Sequence, residues 1–151
     1  MDAEVYPDER VANFVTENFV PVRVDVRKNP APMERFGAFW TPIVVILDPL
    51  GTERYRFEGY LPVTDFLAHL TLGLGQVAFA SGRFEEAERR FNEVVDKYPE
   101  SEQAAEALYW RGVARYKKGD TAALGDTAAE FTRRYQTSSW AKKASVWKKA
   151  S

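Results

Sequence analysis

The chain has 151 residues, 45% hydrophobic and 28% charged, with a formal net charge of −1. That is the composition of a folding globular chain, and it excludes bulk electrostatic attraction to nucleic acid or to a membrane surface. The absence of cysteine and the single histidine, His69, remove disulfides, thiolate nucleophiles and histidine- or cysteine-built metal centres together.

Along the chain, Val11, Phe14, Val15 and Phe19 recur at helical spacing, and Asp8 after Pro7 supplies a cap, so a helix is expected over 8–19. In the following FVPVRVDV, Val20, Val22, Val24 and Val26 alternate with Pro21, Arg23 and Asp25. This period of two predicts a strand over 19–26. NPAPMERFGAF reads as a turn and a short helix, and the connection is long enough for a parallel crossover. The continuous apolar run from Ile43 to Leu47 predicts a strand covered on both faces. Asp48-Pro49-Leu50-Gly51 then turns into RYRFEGY, the return strand of an antiparallel hairpin, and Pro62 opens a helix through Phe66, Leu67 and Leu70. No run approaches 18 consecutive apolar residues, so no bilayer span is expected, and the acidic MDAEVYPDER lacks the apolar core of a secretory signal. The expected location is the cytoplasm.

From about residue 68 strand signals stop and an internal repeat begins. Gly75 and Gly112, Gly82 and Gly119, Tyr98 and Tyr135, Ser101 and Ser138, Ala104 and Ala141, Ala107 and Ala144, and Trp110 and Trp147 are all displaced by 37. Each unit reads as helix, glycine turn, helix. Charge divides in the same way: residues 1–67 carry 7 basic and 11 acidic side chains, residues 68–151 carry 14 and 11. No Gly/Ser/Pro-rich linker separates the halves, which predicts that they pack together.

The spacing of Leu74, Gly75, Gly82, Phe84, Ala87, Phe91 and Pro99 resembles tetratricopeptide repeats. A second unit keeps Gly112, Tyr116 and Gly119 but has Leu124, Ala128 and Gln136 in place of the family's Ala, Phe and Pro; a third begins at Ala141. The first half resembles the latter part of a thioredoxin fold: FVPVRVDV is similar to its strand ending in V-D-V, WTPIVV to its cis-proline strand and LDPLGTERYRFEGY to its final hairpin. The expected architecture is therefore an α/β thioredoxin-like remnant over 1–67 followed by all-α helical hairpins over 68–151.

In the thioredoxin family a strand and a C-x-x-C loop precede a helix like the one over 8–19; here the sequence starts, at residues 1–6, where that helix should already be under way. Two functions are therefore open. One is a non-catalytic protein-interaction module; the other is a fragment of a thiol-disulfide oxidoreductase, tied to redox homeostasis, whose cysteines lie upstream of Met1. A third role, purely in stability or assembly, is also open. No metal or cofactor is expected, and the expected partner is another protein or peptide, not nucleic acid or membrane.

Losing the central strand predicts that the strand over 19–26 pairs directly with 43–48, exchanges with a second copy, or borrows a foreign strand. The thioredoxin resemblance makes Thr41 and Pro42 candidates for gripping an extended peptide. The repeat resemblance puts Leu72, Gln76, Phe79, Tyr109, Val113, Tyr116 and Lys117 along a concave peptide groove. Lys142, Lys143, Lys148 and Lys149, near Trp140 and Trp147, are expected to be a solvated helix face, and His69 a surface or packing residue.

Overall fold

A computed structural model describes residues 1–148, so Lys149 of the basic cluster lies outside the described residues. The order is α1 (Glu9–Asn18), α2 (Ala31–Phe36), β1 (Ile43–Leu47), β2 (Glu53–Glu58), α3 (Val63–Ala80), α4 (Phe84–Lys97), α5 (Gln103–Lys117), α6 (Ala123–Phe131) and α7 (Ser139–Ala144), with a 3₁₀ turn over Ser145–Trp147. Asp8 caps α1 by accepting from the Arg10 backbone N–H at 2.9 Å, and Pro62 precedes α3 in extended conformation, as the sequence requires.

β1 and β2 form an antiparallel hairpin, with Val44 opposite Phe57 and Ile46 opposite Tyr55. The Thr41–Pro42 peptide bond before β1 is cis, as the resemblance implied. The expected strand over 19–26 is a correction: residues 19–25 form neither helix nor strand, and among the described residues the sheet has two strands only. A period-two pattern specifies a face, but a strand needs a neighbouring ladder for its N–H and C=O groups. Here β1 is not beside it. Val20 is 92% and Val22 82% exposed, which overturns both the direct pairing with 43–48 and the parallel crossover. β1 itself is only partly covered, with Ile46 fully buried and Leu47 exposed.

α3 is the structural hub. It is 18 residues long and apolar enough by length and composition to cross a membrane. Its apolar surface is instead shared between two protein cores. On one side Phe66, Leu67 and Leu70 pack with Val5, Val11, Ile46 and Phe57. On the other Leu72 and Ala78 join Ala87, Phe91, Val94 and Leu108. The Arg90 guanidinium donates to Asn18 Oδ1 at 2.8 Å, tying α4 to α1.

The repeated residues have repeated physical jobs. Gly82 and Gly119 end α3 and α5 with φ of +76° and +106°, values an L side chain rarely adopts. Ser101 and Ser138 each donate a hydroxyl hydrogen bond to the carbonyl three residues earlier, at 2.7 and 2.8 Å. Gly75 and Gly112 let the paired helices touch: a Cβ at Gly75 would enter the Phe91 ring, and one at Gly112 would strike Thr127. Thr127 thus fills, in the second hairpin, the space that the degenerate unit's missing phenylalanine leaves. Arg111 then bridges Asn92 at 2.9 Å and Glu130 at 2.5 Å across α4, α5 and α6.

Replacing Gly75 or Gly112 by alanine is expected to destabilise the chain by about 1–3 kcal/mol, overpacking outweighing the roughly 1 kcal/mol gain in helix propensity. Urea unfolding of the two variants measures this; stabilisation by either would show that the helices can separate at no cost.

Candidate functional site

The first helices of the successive hairpins, α3, α5 and α7, present equivalent positions at the 37-residue repeat. One such row is His69, Glu106 and Lys143. The hairpin closes this row at its α3 end. The Tyr55 hydroxyl lies 2.6 Å from His69 Nδ1, and donates to it when the neutral ring carries its proton on Nε2. The Phe57 ring stacks on the imidazole at a centroid distance of 4.5 Å. Ile46 and Tyr55 press on Gly73 one turn further along, where a side chain would not fit. His69 is therefore a packing residue, one of the two expected roles.

Burial dominates the electrostatics. It lowers the His69 pKa to about 4, with Asp65 opposing weakly, and pushes the Tyr55 hydroxyl well above its usual range, helped by the charge of Glu106. Burial likewise holds the Glu106 carboxyl above the ordinary carboxylate range, with Lys143 partly offsetting it. Lys143 lies over the Trp140 ring, 3.8 Å from its centroid.

Beyond this row α3, α5 and the C-terminal helix carry a cluster of aromatic rings. Phe79 meets Phe84 at 5.2 Å and Trp110 at 5.3 Å, both edge-on. Tyr109 stacks on Trp147 at 4.5 Å and leans on Trp140 at 5.1 Å. The rings are half-buried and rest on the core beneath, so they make a firm floor with little freedom to lose on binding.

Among the sequence candidates, Phe79 and Tyr109 belong to this floor, and Gln76 and Val113 are half-buried on the same two helices, α3 and α5. Tyr116, 47% exposed, and Lys117 stand exposed in the last turn of α5. Leu72 is a correction: it is fully buried in the helical core and offers nothing to a ligand. Thr41 and Pro42 belong to the hairpin, where the Pro42 carbonyl accepts from the Gly59 N–H at 2.9 Å. Lys142, Lys143 and Lys148 are exposed. Glu106, Trp110 and the Tyr55–His69 contact were missed, although extending the 37-residue offset from His69 would have found Glu106.

Protonating His69 costs more in the folded chain than in the unfolded one. Its contribution is intact above about pH 6.5 and declines as pH falls towards 4, by on the order of 1–2 kcal/mol after allowance for solvent screening. Urea midpoints between pH 7 and 5 should fall more steeply for the parent than for His69→Asn; parallel declines would place the proton uptake elsewhere.

Comparison with known families agrees with these two parts. A family described as a thioredoxin-like domain matches residues 1–73, and one described as tetratricopeptide repeat matches residues 72–138. No curated protein matches the chain. The two matches meet within α3.

Proposed function

The chain joins a thioredoxin-like domain to a tetratricopeptide repeat unit, and we propose that it works as a non-catalytic interaction module whose helical groove takes an extended peptide from a partner protein. The observation that carries this reading is the firm aromatic floor of Phe79, Tyr109 and Trp110 with Tyr116 and Lys117 exposed in the last turn of α5. Large, rigid, amphipathic rings give contact area at low entropic cost and dominate binding energy where they meet a partner. The hairpin supports it too, since β2 already lies along α3 as an extended segment.

Peptides selected from a random displayed library, then synthesised and titrated, test this reading. Binding should alter the fluorescence of Trp110, Trp140 and Trp147. Tyr116→Ala should weaken it about tenfold with only a small change in melting temperature, because Tyr116 is half-exposed and packs on neither core. A Tyr116→Ala variant that melts earlier and loses no binding favours a purely stabilising role for the repeats.

A second reading is favoured by the bare edge of β1. In it the chain is the latter part of a thiol-disulfide oxidoreductase whose sheet is completed by an upstream cysteine-bearing segment. The intact mass of the native protein separates the two: 17.2 kDa supports the interaction module, and a larger mass with an in-frame C-x-x-C supports the oxidoreductase.

A further inference from the structure

Glu106 is a half-buried carboxylate that the described residues leave without a direct counter-charge. Lys143 offsets its burial from a distance but forms no ion pair with it, since the ammonium lies over the Trp140 ring instead. The Trp110 indole N–H, one turn along α5, draws weakly on the carboxyl, yet is itself buried with no partner in hydrogen-bonding geometry. A carboxylate partly removed from water and not fully repaid is a deficit that a ligand of opposite charge can fill.

Aromatic rings border this carboxylate from three elements. On α5, Tyr109 and Trp110 follow Glu106 by three and four residues, the spacing that shares a helix face. From α7, Trp140 lies 5.1 Å from Tyr109 and 6.5 Å from Trp110. From the hairpin, Tyr55 sits near enough for the Glu106 charge to push its hydroxyl upward. Rings beside an anion make a receptor for a cation. The chain already shows that a cation sits well here, because the exposed Lys143 places its ammonium 3.8 Å from the Trp140 centroid. Lys142 and Lys148 instead line a separate depression with Ala128 and Phe131 of α6.

We propose that Glu106 and its bordering rings form the subsite for an arginine side chain of the partner peptide, with Lys143 a resident competitor that the arginine displaces. The inference rests on the peptide-binding reading above and names what the peptide must carry. A guanidinium suits the site better than an ammonium. It is planar and weakly hydrated, so it lies on ring faces while two of its N–H groups donate to one carboxylate. Lys143 gives up a single cation–π contact at an exposed position, and its displacement costs little. An acidic residue of the peptide would meet the like charge of Glu106 at the same place.

Two small probes test the subsite on the parent chain, so that no variant has to fold: N-acetylarginine methylamide and its uncharged citrulline analogue. The arginine probe should shift the indole N–H resonances of Trp110 and Trp140 saturably in the NMR spectrum, and the citrulline probe should not. In peptides selected as above, replacing arginine by citrulline should weaken binding about tenfold. Glu106→Gln should cost the arginine peptide about the same factor and make the two peptides equivalent. Lys143→Met should tighten the arginine peptide about two- to fivefold and leave the citrulline peptide unchanged. An arginine probe that moves neither indole overturns the proposal, as do selected peptides that bind without arginine and ignore Glu106→Gln; the peptide reading survives both results. A lysine peptide bound as tightly as the arginine one also overturns it. Failure to select any peptide sinks the peptide reading, and the arginine probe still decides the subsite.

Discussion

Everything in this chain depends on the close approach of α3 to partners on two of its faces. Gly73 and Gly75 are two residues apart, so they point to different sides of the helix. At Gly73 the hairpin comes in through Ile46 and Tyr55; at Gly75 α4 comes in through Phe91. A Cβ at Gly73 would displace the end of Ile46, and one at Gly75 would enter the Phe91 ring. One helix therefore belongs to two cores at once, and the boundary between the parts is a helix interior, not a linker. Interfaces between domains are ordinarily more polar and looser than this.

That sharing also decides which members of the repeated row are covered. In an isolated stack of helical hairpins the row of equivalent positions would be open throughout. Here its first member, His69, is sealed between Tyr55 and Phe57, and the open part begins at Glu106 and the aromatic floor. The half-buried Glu106 carboxyl touches both environments. Its charge reaches Tyr55 on one side and Lys143 on the other, so the hairpin and the last helix influence the same group.

How much was legible in the sequence varies with the distance over which the cause acts. Local signals were read well: the Asp8 cap, the helix opened by Pro62, the apolar run that became β1, and the turn glycines act within a few residues. The 37-residue spacing also exposed the helical hairpins, because each matched pair repeats a contact. What failed was the strand over 19–26. Its alternation was real, but a ladder partner is a property of the whole fold and leaves no mark in the segment itself. The helices were legible as well, and Gln76, Phe79, Tyr109, Tyr116 and Lys117 lie on α3 and α5 as the repeat spacing implied. Leu72 shows the limit, since helical spacing alone does not say which apolar residue faces the neighbouring helix. Glu106 went unread because no residue type is shared along its row.

The arrangement of the hairpin also gives the helical stack a direction. Repeat arrays are sums of neighbour contacts, and an end repeat needs some other element to cover its outer flank. On α3 that cover is supplied by α1, Ile46, Phe57 and the N-terminal Val5, elements of a different fold. A further helical hairpin cannot be added there without prising them off. Any change in the number of whole repeats is therefore accommodated away from this flank of α3. The thioredoxin-like part thereby acts as the fixed end from which the number of repeats is counted.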